Sequence, residues 1–194
     1  MNLLIHTCCA PCLSGSRIPF EEEGMDITAY WYDPNIQPYT EHQKRLHTLE
    51  QYLFLAPMKY VVEKGFHQNI FISEQMKNLE RNGSFPDGEM MTDQERSIRC
   101  ELCYDMRIGM TARFAKDNGY DAFTSTLLLS RHQDHEAIKR SCQKMSDMNE
   151  VEFIYKDLRK HWKDSISISK ELDLYRQPYC GCIFSEHERF GSKQ

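Results

Sequence analysis

Leu3-Leu4-Ile5-His6-Thr7-Cys8-Cys9-Ala10-Pro11-Cys12 is the stretch on which the architecture of this chain turns. Leu3–Thr7 reads as a short apolar strand running straight into a loop of three cysteines, and strand alternates with helix downstream of it. A short helix follows, its start restricted by Pro19. Asp26–Tyr32 is β-branched and aromatic, a strand that ends at the turn Asp33-Pro34-Asn35. Thr40, with Gln43 as capping-box partner, begins a helix whose Leu46, Leu49, Tyr52 and Leu53 share a face and which Pro57 stops. Tyr60–Val62 reads as a third strand. From Phe66 to Ser97 the pattern weakens to one helix near Ser73–Arg81 and a Gly/Pro-bearing loop, Asn82–Gly88, an insertion of the kind that covers a site.

A strong helix is then predicted from Cys100 to Asn118, with Leu102, Met106, Met110 and Phe114 spaced by four and Gly119 as its stop. Asp121–Leu129 reads as a strand, Asp134–Asn149 as a helix, Val151–Tyr155 as a strand and Ser165–Leu174 as a last helix. Tyr175–Cys182 is loop-like. This alternation predicts one α/β sandwich domain over residues 1–194, built on a mainly parallel sheet. Right-handed crossovers place the loop after the first strand at the carboxyl edge, where such folds keep their sites.

The composition is that of an ordinary globular protein, with 40% hydrophobic and 27% charged residues in 194. A net charge of −5 excludes a global pull toward a polyanion, so a nucleic-acid partner needs a local basic patch. Basic residues gather between Lys156 and Lys163, with Arg131, His132 and Arg176 elsewhere; on charge alone this is a solvated face. No apolar stretch is long enough to span a bilayer. Met1–His6 carries no basic leader pattern, so the expected location is cytoplasmic.

Eight cysteines in a cytoplasmic chain of this length are not a disulfide framework. Cys142 falls in register with Ile138 and Met145 on the apolar face of a helix and reads as core filler. The other seven form three groups: Cys8/Cys9/Cys12, Cys100/Cys103 and Cys180/Cys182. Cys100 and Cys103, at i and i+3, are expected on the first turn of their helix, where its positive end favours thiolates. Gly181 lets the thiols of Cys180 and Cys182 turn the same way. Seven thiols overfill one zinc and fall short of two, whereas a four-iron–four-sulfur cluster takes four and leaves three for a second task. A thioredoxin-like reading of Cys9-Ala10-Pro11-Cys12 leaves four cysteines unexplained. A non-catalytic zinc module binding RNA leaves three.

The motifs Cys8-Cys9-Ala10-Pro11-Cys12, Tyr32-Asp33-Pro34-Asn35-Ile36-Gln37-Pro38, Arg99-Cys100-Glu101-Leu102-Cys103-Tyr104 with Arg107, and Phe123-Thr124-Ser125-Thr126-Leu127-Leu128 resemble those of the QueH-type epoxyqueuosine reductases. So does Tyr175-Arg176-Gln177-Pro178-Tyr179-Cys180-Gly181-Cys182-Ile183-Phe184-Ser185, the most specific of them. The resemblance implies a HUP-like (nucleotide α-hydrolase-like) sandwich with a five-stranded sheet, without the glycine-rich ATP loop of that wider group. It implies a 4Fe-4S cluster with an additional mononuclear iron beside it, no cobalamin, and reduction of epoxyqueuosine to queuosine in tRNA. Members of the family often carry an acidic residue or a cysteine at the position of Cys12, which points to Cys12 as a ligand of the extra iron.

On that footing Cys8, Cys9, Cys100 and Cys103 are expected to carry the cluster. Cys12, Cys180 and Cys182 are expected to carry the second iron, with a Cys180–Cys182 redox disulfide as the less favoured alternative. His6 and Asp33 are proton-donor candidates by position only. Tyr32, Asn35, Arg131, Arg176 and Tyr179 are candidate substrate contacts, with Tyr104, Lys156 and Arg159 further possibilities for base stacking or phosphate. The expected partners are tRNA bearing epoxyqueuosine and a low-potential electron donor, with no membrane and no obligate protein partner.

Overall fold

The computed structural model describes residues 1–65, 67–83 and 92–191. Five parallel strands form one sheet: β1 (Asn2–His6), β2 (Asp26–Trp31), β3 (Lys59–Val62), β4 (Ala122–Ser125) and β5 (Glu152–Phe153), in the order β3-β2-β1-β4-β5. In register, His6 lies beside Tyr30 on one side and Ser125 on the other. Leu3, Leu4 and Ile5 are fully buried, as strands covered on both faces must be. Each contributes about 1.5–3 kcal/mol of burial free energy.

Eight α-helices accompany the sheet: α1 (Ala10–Ser16), α2 (Ile18–Glu21), α3 (Tyr39–Leu55), α4 (Gln68–Arg81), α5 (Asp93–Asp117), α6 (His135–Asn149), α7 (Trp162–Glu171) and α8 (Ile183–Phe190). α1 packs on α7 and α3, whereas α5 packs on α4 and α6 and lies against β1 and β4. The chain steps one way through β1-β2-β3 and the other way through β4-β5. Right-handed crossovers therefore put these two helix groups on opposite faces. The direction reverses between β1 and β4, and the crevice beyond their carboxyl ends is the topological switch point of the fold. Cys8 lies there, one residue past Thr7, whose backbone N–H still donates to Tyr30 O at 2.8 Å.

The parallel α/β expectation is met, and several element assignments are corrected. α3 starts at Tyr39 after Pro38 with no side-chain cap, so Thr40 and Gln43 do not form the expected box. The box exists instead at α5, where Thr92 caps and Glu95 reciprocates. α5 therefore starts seven residues before Cys100, and Cys100 and Cys103 sit in its interior, beyond reach of the helix N-terminus. Its buried stripe is Cys103, Tyr104, Arg107, Ile108, Thr111, Ala112 and Ala115. The Leu102/Met106/Met110/Phe114 row is only half-buried, because α5 turns a mixed polar face toward the site. Gly119, at φ +70°, does end it.

The strand expected over Asp121–Leu129 stops at Ser125, whose hydroxyl accepts from Leu127 N–H and turns Thr126–Leu129 into a 3-10 helix. Val151–Tyr155 pairs only through Glu152 and Phe153. α4 begins at Gln68, earlier than Ser73; Ser84–Gly88 of the expected loop lie outside the described residues. α7 spans Trp162–Glu171 instead of Ser165–Leu174, and α8 was not anticipated. None of α8's residues is buried, and at eight residues it is too short for a periodic pattern to announce it in sequence. Among the described residues, no helix is long and apolar enough to cross a membrane.

Candidate metal centre

Cys9 is the N-cap of α1: its backbone is extended and its sulfur accepts from the Cys12 N–H at 3.2 Å. One turn of helix thus brings the two thiols together, with Sγ 2.6 Å from Sγ. Cys8 Sγ lies 3.9 Å from Cys9 Sγ, and the three sulfurs all fall within 4.8 Å of one another. β4 braces this loop across the switch point. Thr126 Oγ1 accepts from the Cys8 N–H at 3.2 Å and stands 3.3 Å from Cys8 Sγ.

The trio divides its protons unequally. Hydrogen bonds from Cys12 and Cys9 hold Cys8 well below the usual thiol range, helped by the charge of Arg107 and opposed by burial. Cys12 is pushed well above that range, first by its hydrogen bond to Cys8, and burial pushes Cys9 up. One thiolate flanked by two thiols is a donor set that a thiophilic ion completes by displacing protons.

The other four thiols line one cavity of about 280 Å³, together with Asn35, Tyr104 and Arg99. Cys100 and Cys103 come from α5, and Cys180 and Cys182 from the loop before α8. Burial raises Cys100 and Cys103, and burial with the neighbouring Cys182 raises Cys180 to about 11. That loop is docked by backbone contacts. Arg45, buried on α3, donates to Cys180 O at 2.9 Å and Tyr179 O at 3.2 Å, and its Nε donates to Glu41 at 2.7 Å. Gln37 N–H donates to Gly181 O at 2.7 Å, and the Tyr179 hydroxyl donates to Gln37 O. Gly181 has φ +138°, and a Cβ there would lie 3.1 Å from Arg45 Nη1 and 3.2 Å from Ile36 Cγ1. Only glycine fits both the backbone and the space.

A buried polar chain runs beneath both groups. Ser125 Oγ lies 2.9 Å from His6 Nδ1, and His6 Nε2 lies 3.6 Å from Asp33 Oδ1. Arg107 Nη2 donates to the same Asp33 oxygen at 2.5 Å, and its Nη1 is 4.0 Å from Cys103 Sγ. Arg99 Nη1 approaches Cys182 Sγ at 3.6 Å while Nη2 donates to Glu188 at 2.9 Å. Two buried guanidiniums among thiols compensate the negative charge that a thiolate-ligated centre carries.

A second cavity of about 450 Å³ adjoins the first: Cys8, Cys12, Arg107, Thr126 and Trp162 line it, and it shares Cys180, His132 and Gln133 with its neighbour. Six of the seven non-core cysteines therefore line two neighbouring hollows at one sheet edge, and the seventh, Cys9, is buried just behind them with its sulfur against that of Cys12. Cys142 is fully buried among Ile138 and Met145, as core filler. The donor set is all sulfur, cation-braced and larger than one zinc requires. It fits a metal centre, and Cys8, Cys9 and Cys12 can hold a metal ion.

The candidate substrate residues scatter. Asn35 is buried on the first cavity, with both amide atoms unpartnered among the described residues. Arg176 and Tyr179 line the second. Tyr32 is buried against His67, away from both, and Arg131 is exposed and lines neither. Tyr104 lines the first cavity but is buried. Lys156 pairs with Glu23 and Arg159 with Asp157, so that part of the basic run is a paired, solvated face. Sequence reasoning missed Arg45, Gln133 and Gln177 as site residues. Arg45 had no signal, since a charged residue on a helix reads as solvent-facing; Gln177 lay inside a motif with no role attached.

Comparison with known proteins agrees with this geometry. The family described as "Epoxyqueuosine reductase QueH" matches residues 3–188. A Dehalococcoides mccartyi protein called epoxyqueuosine reductase QueH is 41% identical over 190 residues, covering 98% of this chain and 95% of its own. A Histophilus somni protein of the same name is 32% identical, covering 95% of this chain and 72% of its own. One from Thermotoga maritima is 31% identical, with 97% and 92% covered.

Proposed function

The chain belongs to the epoxyqueuosine reductase QueH family, and from that premise we propose that it reduces the epoxide of epoxyqueuosine in tRNA to the alkene of queuosine. It is an oxidoreductase of tRNA queuosine biosynthesis. The observation that carries the reading is the convergence of three distant segments on two adjoining cavities, which six thiols line while the seventh, Cys9, groups with Cys8 and Cys12. The reaction takes two electrons and two protons, breaks both epoxide C–O bonds, and releases the oxygen as water. When bound, an iron–sulfur cluster supplies electrons singly and an adjacent iron supplies Lewis acidity toward the epoxide oxygen.

The geometry supports Cys100, Cys103, Cys180 and Cys182 as the thiols for a 4Fe-4S cluster, since all four line one hollow. Cys8, Cys9 and Cys12 are the set for the additional iron. This division differs from the pairing suggested by sequence order, in which Cys8 and Cys9 join Cys100 and Cys103. The new grouping follows the sulfur distances for Cys8, Cys9 and Cys12 and the shared cavity for the other four. Arg107, between the two groups, balances charge on both. Arg99 does so for Cys182. Asn35, Arg176 and Tyr179 are the substrate contacts that the cavities support. Arg176 and Arg189, both exposed at the second cavity, have no carboxylate partner among the described residues and suit tRNA phosphates. The electron donor is a low-potential one, and the cytoplasm, where tRNA is modified, is the matching location.

Anaerobic purification with iron, sulfide and zinc analysis, followed by nucleoside mass spectrometry of treated epoxyqueuosine-bearing tRNA, tests this. The expected result is a brown protein with more iron than one cluster contains, and queuosine as product. A colourless zinc protein that binds tRNA without converting it overturns the reading, as does full activity in a metal-free sample.

A further inference from the structure

Gln133 and Gln177 both line the second cavity, and they share an uncommon feature. Gln133 Nε2 donates to Cys180 Sγ at 3.1 Å. Gln177 lines the same cavity, and its side chain lies near enough to the Cys9 thiol to pull it down slightly against the rise that burial causes. A metal-bound thiolate can only accept from an amide, so the contact with Cys180 fixes which arm of the Gln133 amide faces the sulfur. The carbonyl Oε1 of each glutamine is buried without a partner among the described residues. Buried acceptors are rarely left unpaired, and two of them in one hollow imply donors that arrive with a ligand.

We propose that Gln133 and Gln177 are substrate-positioning residues whose side-chain carbonyls accept hydrogen bonds from the hydroxyls of the cyclopentane ring that carries the epoxide. The proposal rests on the epoxyqueuosine reading of this site. In that substrate the epoxide ring bears two hydroxyls and hangs from 7-deazaguanine by an aminomethyl link. The donors adjacent to the reacting carbons are therefore hydroxyls, and the Watson–Crick edge of the base lies at the far end of the molecule. Acceptors beside Cys9 and Cys180 stand next to the metal centre and can meet only the near end. The cavity, at about 450 Å³, falls within the range of roughly 300–1,000 Å³ typical of small-molecule sites. Trp162, Pro178, Leu127 and Ile166 supply its apolar walls. Gln133 thus ties the ring's orientation to a sulfur, its amide fixed on Cys180 and its carbonyl on the diol, while Gln177 offers a second carbonyl in the same cavity.

The test compares two tRNAs bound by the anaerobic holoprotein: one bearing queuosine, which has the diol, and one bearing 7-aminomethyl-7-deazaguanosine, which lacks the whole ring. Gln133→Met and Gln177→Met are each expected to weaken binding of the queuosine tRNA about tenfold, the size of one lost hydrogen bond in a buried site. The ring-less tRNA should bind unchanged, iron and sulfide content should stay at the wild-type level, and KM for epoxyqueuosine tRNA should rise more than kcat falls. Equal weakening toward both tRNAs, loss of iron, or no preference of wild type for the queuosine tRNA overturns the proposal. Glutamine-dependent diol binding without any turnover of epoxyqueuosine tRNA would instead sink the reductase reading and leave this inference standing. Turnover with unaltered KM in both variants would do the reverse.

Discussion

Cys8, Cys9 and Cys12 share one strand-to-helix loop, whereas Cys100, Cys103, Cys180 and Cys182 meet only because a C-terminal loop docks against a mid-chain helix. The first group is shaped by local backbone: a strand ends, Cys9 caps α1, and one helical turn returns Cys12 to it. The second depends on Arg45, Gln37 and Gly181 reaching across from other elements. The first is therefore expected to persist wherever β1 and α1 are folded. The second is expected to open first, because its docking rests on a few polar contacts and on α8, which buries none of its residues.

The largest way to break that contrast is Arg107→Met, because Arg107 serves both groups. It leaves buried Asp33 with only the longer 3.6 Å contact to His6, and the expected loss is about 3–5 kcal/mol in denaturant unfolding, with metal depleted from both sites. Depletion from only one site would show that the arginine is not shared. Arg45→Met should separate the groups. Losing its bonds to the Cys180 and Tyr179 carbonyls is expected to cost about 2–3 kcal/mol. Cobalt titration of the variant should keep the thiolate band of the Cys8/Cys9/Cys12 site while the second site binds weakly; parallel loss from both refutes the independence argued here.

A smaller effect comes from pH. In the first group Cys8 is already biased to thiolate, so a metal displaces protons from Cys9 and Cys12. In the second, Cys100, Cys103 and Cys180 are all raised, so at least three protons must leave. Both affinities rise with pH through the neutral range, and the second should rise more steeply, by about one further tenfold step per pH unit. Competitive zinc titrations at several pH values of variants retaining one group each measure the two slopes. Equal slopes would mean the groups start equally protonated. The smallest effect belongs to Cys142→Ala, which touches neither group. It should cost about 1 kcal/mol of core packing and leave metal content unaltered, as thermal unfolding and metal analysis would show.

What the sequence revealed follows the same contrast. Leu3–Thr7 and Asp26–Tyr32 are apolar runs bounded by turn chemistry, so the parallel sheet and the carboxyl-edge loop were legible from residues alone. The grouping of the cysteines was legible too, because thiol pairs at short spacing are rare outside ligand sets. The start of α5 was misplaced because its capping box, Thr92 and Glu95, lies in a polar stretch with no apolar periodicity to announce a helix. α8 was missed because its eight residues span barely two turns, too few for a helical period to stand out.

Local patterns in the chain were enough to determine a parallel α/β sandwich, a core cysteine and seven thiols set apart for chemistry. Which thiols stand together was decided only by the tertiary structure, through crossovers that place the loop after β1 at the switch point and through Arg45, Arg99 and Arg107 buried beneath the site. The reason is physical: spacing along a chain encodes contacts within a turn or a helix, whereas a buried charge or an unpaired carbonyl acquires its meaning from partners that sequence distance does not encode.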